Sequence, residues 1–174
     1  MLLSLVPHPD APPGPTSEID VSVERTEALL ELHFRVRGNI SDLSLPDSGE
    51  PGERRDELWK HTCFEAFLAA GEGGYIEFNF APSGEWAAYV FTGYRAGMVN
   101  ALVPKPLIYD DVGDNLYHLW VEVELAELAT ARPLRLGLSA IIEDTSGAKT
   151  YWALKHAPGK PDFHHPDAFA SEIP

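Results

Sequence analysis

The sequence has very little cysteine and few basic residues, and it contains no long hydrophobic run. Its one cysteine, Cys63, excludes an intramolecular disulfide and fits a reducing compartment. Only 13 lysines and arginines stand against 27 acidic residues, so the formal net charge is -14 at pH 7. Such a chain repels nucleic acids and anionic membranes, and no basic cluster larger than Arg54-Arg55 offsets this charge. We therefore expect neither nucleic acid nor a membrane as a partner.

Signals for secretion and membrane insertion are also missing. The apolar segment from Met1 to Val6 is short, has no positively charged flank, and runs into the proline-rich stretch from Pro7 to Pro15. No apolar run approaches the roughly 20 residues that a membrane-spanning helix needs. We predict that Met1 to Val6 forms a first strand followed by a loop, and that the protein is cytoplasmic.

What the sequence has in abundance is the alternation of apolar and polar residues that is typical of β-strands. This pattern predicts further strands over residues 19–23, 30–36, 63–69, 75–81, 85–92, 98–103, 117–124, 134–142 and 149–155. A helical turn is indicated only at residues 125–131, and residues 38–57 are predicted to form an exposed connection. About ten strands with almost no helix predict an all-β fold, an antiparallel β-sandwich. A chain of 174 residues with 44% hydrophobic content can bury its core as one domain, 1–174.

Polar residues interrupt the two strands that otherwise look built for a hydrophobic core. Alternation places an apolar set on one face: Phe64, Ala66, Leu68, Ile76, Phe78 and Phe80. The opposite face then carries Glu65, Glu77 and Asn79, which are costly to bury without partners. This face could hold a polyhydroxylated ligand or an ion, or it could simply meet water. Alternation leaves open whether Trp86 or Tyr89 of the next strand shares this face.

A second unusual region lies on an irregular loop near the C-terminus. Prolines and a glycine end the last strand and leave His156, Asp162, His164 and His165 on this loop. Imidazole and carboxylate groups can bind a metal, although their spacing here matches no metal motif. The alternative is a hydrogen-bonding loop that closes one end of the sandwich. His61, which precedes a core strand, can bind a ligand or the backbone.

Several motifs point to a known family: LWKHTCFEAFL, YIEFNFAPSGEWAAYVF with the following YR, and YWALKHAPGKPDFHH. With these motifs the sequence resembles the DOMON-like domains of the carbohydrate-binding-module family 9 superfamily, notably their stand-alone bacterial branch. The resemblance spans roughly residues 2 to 170. It implies an antiparallel β-sandwich with a concave ligand face. It also implies two ligand classes, because relatives bind sugars between aromatic rings or bind haem.

The sugar interpretation needs flat aromatic rings for the apolar faces of pyranoses and polar groups for their hydroxyls. Candidates for the aromatic role are Trp59, Trp86 and Trp152, and candidates for the polar role are Glu65, Glu77, Asn79 and Arg95. The haem interpretation requires an axial methionine opposite a histidine or lysine. Only Met98 with His156 or Lys155 is conceivable for that pair. A calcium ion is reasonable for the superfamily, but no Asp-rich loop fixes its position.

Catalysis is a third class of function. Glu65 and Glu77 lie on neighbouring strands and could serve as the acid and base of a glycoside hydrolase. No phosphate loop, nucleophile elbow or HExxH pattern supports any other enzyme. The sequence therefore favours a non-catalytic domain that binds a small polar ligand, with a carbohydrate as the preferred class. The expected ligand-binding residues are Trp59, His61, Glu65, Glu77, Asn79, Trp86, Arg95, Trp152, His156, Asp162 and His164. The sequence gives no indication of oligomeric state.

Overall fold

The structure is a computed structural model that describes residues 1–11, 14–46, 52–71, 73–125 and 133–173. These residues contain twelve β-strands, numbered here along the chain. The strands are β1 (Leu2–Pro7), β2 (Thr16–Arg25), β3 (Leu29–Gly38), β4 (Cys63–Ala69), β5 (Tyr75–Phe80), β6 (Trp86–Phe91), β7 (Val99–Asn100), β8 (Leu107–Val112), β9 (Leu116–Glu124), β10 (Leu134–Glu143), β11 (Lys149–Ala153) and β12 (Ser171–Ile173). Short 3-10 turns lie at Ile40–Asp42, Leu58–Lys60 and Pro166–Ala168. No described helix is long and apolar enough to cross a membrane.

The strands follow one continuous antiparallel path in which two sheets share β1. The first sheet has the order β7, β6, β5, β4, β10, β11, and β12 also pairs with β10. The second sheet has the order β1, β2, β3, β9, β8. Strand β1 links them because Leu2 to Leu5 pair with β2, whereas Val6 and Pro7 pair with β11. This arrangement confirms the predicted antiparallel β-sandwich.

Side chains from both sheets meet in a hydrophobic core between them. Phe64 of β4 packs against Phe34 of β3 and Tyr117 of β9, with ring centroids 5.1 and 5.9 Å apart. Ala66 and Leu68 lie on the same side of β4 as Phe64 and are also fully buried. The alternation of β4 therefore selects the core face as predicted, because removal of this apolar surface from water drives the packing.

The predicted strands match the structure best where apolar and polar residues alternate cleanly, as in β4 and β5. The prediction at residues 98–103 was too long, because only Val99–Asn100 is paired. Strands β8 and β12 were not predicted. Strand β8 is the edge of the second sheet, and its inward face is at most partly buried and includes Asp110, so its sequence shows little apolar alternation. Residues 126–131 of the predicted helical turn lie outside the described residues.

The connection between β3 and β4 is more buried than predicted. Ile40 and Leu43 pack into the core between the sheets, and the Arg54 guanidinium lies 5.3 Å from the centre of the Trp86 ring. The prolines and glycines of this segment indicated its turns but not its apolar anchors. The segment ends in the turn Leu58–Lys60, which lies beside the polar face of the first sheet, and residues 47–51 lie outside the described part.

Candidate ligand-binding site

The polar face of the first sheet is set by the register between β4 and β5. Glu65 lies opposite Asn79, and Phe67 lies opposite Glu77. All of these side chains point away from the core between the sheets, as the alternation predicts. They do not form a wet face, however, because Glu65 is 3% exposed, Glu77 4% and Asn79 0%. Other parts of the chain therefore cover this face.

The register of β6 decides which aromatic residue joins the polar face. Tyr89 lies opposite Glu77, whereas Trp86 lies opposite Phe80 of the core face. The Tyr89 hydroxyl donates a hydrogen bond to Asp56 Oδ1 at 2.7 Å. Trp86 packs into the core between the sheets. Tyr89, rather than Trp86, therefore shares the polar face with Glu77.

Three irregular segments cover the polar face and enclose a cavity of about 430 Å³. They are the turn Leu58–Lys60, residues 92–98, and residues 154–169. The cavity lining includes Trp59, Glu65, Glu77, Arg95, Met98 and His164. Five of the predicted site residues thus line one cavity, although they come from segments far apart in sequence.

Aromatic rings form much of the cavity wall. Trp59 is half-buried and packs edge-on against Tyr89, with ring centroids 6.1 Å apart and an interplanar angle of 70°. Tyr151 and Phe163 line the cavity and lie 6.3 Å from each other. Rings of this kind offer flat apolar surfaces to a ligand. Tyr151 and Phe163 were not predicted as site residues, although both stand in the C-terminal motif.

Glu65 and Glu77 each have a hydrogen-bond partner within the sheet. Ser139 Oγ donates to Glu65 Oε2 at 2.8 Å, and Asn79 Nδ2 donates to Glu77 Oε1 at 2.7 Å. Burial raises the pKa of both carboxyls, and the charge of Glu77 raises the pKa of Glu65 further. Arg95 and the hydrogen bonds act in the opposite direction. The floor of the cavity can therefore carry a protonated carboxyl, which both donates and accepts hydrogen bonds.

Two hydrogen bonds connect the Arg95 backbone to His164 through the Tyr75 ring, and His164 in turn lies near Glu77. The Arg95 backbone N–H donates to the Tyr75 hydroxyl at 3.3 Å, and this hydroxyl lies 2.7 Å from His164 Nδ1. Burial, followed by the nearby charge of Arg95, lowers the pKa of His164 to about 4. His164 is thus neutral at pH 7. With Nδ1 accepting from Tyr75, its Nε2–H faces Glu77 Oε2 at 3.7 Å.

Arg95 is held at the rim of the cavity by Asp162. Its Nη2 donates to Asp162 Oδ1 at 2.8 Å, and Nε donates to the same oxygen at 3.3 Å. The Tyr94 hydroxyl donates to Asp162 Oδ2. Arg95 also has a φ of 52°, a left-handed conformation that is uncommon for a non-glycine residue. Such a conformation persists only where surrounding contacts maintain it, and Asp162 supplies these contacts.

Other predicted residues lie elsewhere. Trp152 packs in the core between the sheets, where its Nε1 donates to Thr150 Oγ1 at 3.0 Å. His61 is exposed and contacts Glu143 Oε2 at 2.7 Å. It borders a second cavity of about 440 Å³. Asn79 lies beneath Glu77 and does not line the first cavity.

The residues that the haem interpretation would need do not come together. Met98 lines the cavity, but His156 and Lys155 do not. His156 Nε2 instead donates to the carbonyl oxygen of Val6 at 2.9 Å. The structure therefore does not form the axial pair that the haem interpretation requires. Within the described residues, no group of three or more His, Cys, Asp and Glu side chains could hold a metal ion.

Comparisons with known proteins show similarity in fold. No protein-family model matches the chain, and a search of curated proteins finds no match. A proposed carbohydrate-binding protein from Bacteroides uniformis superposes with a TM-score of 0.70 at 15% identity, over 96% of this chain and 83% of its own. A family 9 carbohydrate-binding module from Caldicellulosiruptor kristjanssonii in complex with glucose gives 0.57 at 10% identity, over 93% and 78%. A structure of such a module from the same organism with cellotriose gives 0.54 at 8%, over 84% and 72%.

Proposed function

We propose that this protein is a non-catalytic carbohydrate-binding protein that holds a neutral sugar in the cavity over the polar face of the first sheet. The observation that carries the proposal is the convergence of aromatic rings with buried carboxyls at this cavity. The structures with similar folds include modules bound to glucose and cellotriose, which supports the same ligand class. The sequence motifs further support a DOMON-like protein of the stand-alone bacterial branch.

The chemistry of the cavity suits a pyranose. The Trp59 and Phe163 rings can contact the apolar faces of the sugar, while Glu65, Glu77 and Arg95 bond its hydroxyls. Arg95 already pairs with Asp162, so its charge is largely neutralised. With a net charge of -14 on the chain, an anionic sugar would be repelled. A neutral sugar is therefore the preferred ligand.

Sugar binding is best tested by isothermal titration calorimetry with glucose and cellotriose. Trp59→Ala should abolish measurable binding, because it removes an aromatic wall of the cavity. Glu77→Gln should weaken binding about tenfold, the effect of one hydrogen bond of about 1.4 kcal/mol. Lys60→Ala is the matched control, since Lys60 lies in the same turn but is exposed and pairs with Glu57. Unchanged affinity for Trp59→Ala would contradict the proposed site.

The non-catalytic part of the proposal concerns Glu65 and Glu77, the pair that could serve as the acid and base of a hydrolase. Both carboxyls are already engaged, Glu65 with Ser139 and Glu77 with Asn79. We expect no release of reducing sugar from a panel of glycans. Robust turnover that disappears in both Glu65→Gln and Glu77→Gln would show instead that the protein is a glycoside hydrolase.

A further inference from the structure

The outward face of the second sheet carries a row of aromatic side chains that the cavity does not use. The strand registers place five residues side by side across β1, β2, β3, β9 and β8: Leu2, Ser22, His33, Trp120 and Tyr109. Trp120 is 37% exposed and Tyr109 is 56% exposed. Neighbouring strands are about 4.8 Å apart, so these two rings together cover an area about as wide as one sugar ring.

Trp120 is fixed in place by two histidines. Its ring lies nearly parallel to His33, with centroids 4.4 Å apart and 19° between planes, and to His118, with 5.0 Å and 9°. His33 Nε2 and His118 Nδ1 are 2.7 Å apart, which bonds the two imidazoles to each other. Burial, His118 and Arg35 lower the pKa of His33 to about 4, so this ring is neutral at pH 7. The exposed indole is therefore held in position before any ligand arrives, which lowers the entropic cost of binding.

Polar groups flank the aromatic row on both sides. On one side, Arg35 and Asp111 lie opposite His118 on the two neighbouring strands. Arg35 Nη2 donates to Ser22 Oγ at 3.1 Å, whereas Arg35 Nε has no hydrogen-bond partner among the described residues. On the other side, Glu122 lies opposite Leu107. Flat rings bordered by carboxylates and a guanidinium provide stacking together with donors and acceptors for hydroxyl groups.

We propose that Trp120 and Tyr109 form a second carbohydrate-binding surface, which takes a neutral polysaccharide lying flat across β9 and β8. This surface is on the second sheet, away from the cavity of the first, so the proposal does not depend on the function of that cavity. A protein partner suits the surface less well, because a stable protein interface buries about 800 Å² per partner around an apolar centre. Among the described residues of this face, the only exposed apolar side chain next to the two rings is Leu107, and Arg35, Asp111 and Glu122 carry charge beside them.

Two binding surfaces on different sheets would let one molecule contact two glycan chains. The cavity would enclose a sugar, whereas the flat surface would contact the side of an extended chain. The affinity for an insoluble polysaccharide would then exceed the affinity of either surface alone. Once one surface is bound, the other surface meets the polysaccharide at a high effective concentration.

The test uses the four tryptophans of the chain as reporters. The indole N–H signals of ¹⁵N-labelled protein are assigned with single Trp→Phe variants and followed during addition of glucose, cellotriose and a soluble mixed-linkage β-glucan. We expect glucose to shift the Trp59 signal, and the β-glucan to shift the Trp120 signal. Trp86 and Trp152 lie in the core between the sheets and serve as internal controls. If the Trp59 signal shifts but the Trp120 signal responds to none of the three glycans, the second surface is overturned and the cavity proposal stands. If the Trp120 signal shifts but the Trp59 signal does not, the cavity proposal is overturned and the second surface stands.

Depletion binding to insoluble cellulose provides the second measurement. Trp120→Ala and Tyr109→Ala should each lower the apparent affinity about tenfold. Trp120→Tyr keeps an aromatic ring, so this variant should retain part of the wild-type affinity. Leu102→Ala is the matched control, because Leu102 is 99% exposed and lies beside Leu68 and Val90 of the first sheet. Wild-type binding by Trp120→Ala overturns the proposal. A Trp120 signal that shifts with protein concentration alone also overturns it, because the face would then bind a second copy of the chain.

Discussion

At the scale of single residues, Glu65 shows how the site departs from an ordinary sheet. A carboxylate that is 3% exposed would be strongly destabilising without a partner. Ser139 supplies one hydrogen bond, but burial and the nearby Glu77 still raise the pKa of Glu65. A group retained at such a cost in free energy is more typical of a functional site than of a structural core.

The raised pKa of Glu65 predicts a pH dependence of stability. Above the ordinary carboxyl pKa of 4.5, the folded state holds a proton that the unfolded state has released, so this group destabilises the fold as pH rises. Glu65→Gln keeps the shape but has no charge. Its free energy of unfolding should therefore rise relative to wild type as the pH increases from 5 to 8, by up to about 1.4 kcal/mol per pH unit.

Urea unfolding of wild type and Glu65→Gln at a series of pH values measures this difference. The other titratable groups are present in both proteins, so their contributions to the free energy of unfolding cancel in the comparison. Glu27→Gln is the matched control for the loss of one charge, because Glu27 is exposed in the β2–β3 turn. A difference between wild type and Glu65→Gln that stays constant with pH would show that Glu65 is ionised throughout.

At the scale of elements, the segment between β6 and β7 determines the rim of the cavity. It carries Arg95 in a left-handed conformation and Met98 beside it, and Thr92 N–H donates to the Ala96 carbonyl at 3.0 Å. Gly97 has a φ of 66°, and its α-carbon faces the Thr92 side chain so closely that a methyl group would clash with it. The tight turn that positions Arg95 therefore requires glycine here.

Gly97→Ala should weaken sugar binding by tenfold or more while costing only about 1–2 kcal/mol of stability, because it displaces Arg95 without reaching the core. Gly147→Ala is the matched control. Gly147 also has a positive φ, 85°, but an added methyl group would meet open space, and it lies in the β10–β11 turn. Calorimetric titration with cellotriose and thermal unfolding separate the two effects. Equal loss of affinity in both variants would contradict a specific role for this segment.

At the scale of the whole molecule, the two sheets depend on one shared core. Phe64 of the first sheet contacts Phe34 and Tyr117 of the second, and β1 pairs with both sheets. Neither sheet can bury its apolar face without the other. We therefore expect the chain to fold as one domain, and the unfolding of both sheets to be a single transition.

Phe64→Ala should lower the free energy of unfolding by about 3–5 kcal/mol, because it leaves a cavity at the contact between the sheets. Tryptophan fluorescence and far-ultraviolet circular dichroism should report the same midpoint in urea. Leu102→Ala, at a side chain that is 99% exposed, should change stability by less than about 0.5 kcal/mol. Two separate transitions, or a small effect of Phe64→Ala, would show that the sheets are independent.

Much of the fold was predictable because a strand has a period of two. The alternation in β4 and β5 separated Phe64, Ala66 and Leu68 from Glu65 and Glu77, and the observed register confirms this separation. The same pattern could not choose between Trp86 and Tyr89. A one-residue change in register exchanges the faces of a strand, and the pairing of β6 with β5 decides the register.

The sequence by itself therefore determined the class of fold and the two faces of its central strands, since both follow from local alternation. Only the tertiary structure decided that the polar face is a covered cavity. Trp59, Arg95 and His164 come from separate irregular segments, and their meeting depends on long-range contacts such as Arg95 with Asp162. It also decided that Trp120 stacks on two histidines, because this cluster forms only when β3 and β9 pair. Local patterns carry no information about contacts between segments so distant in the chain.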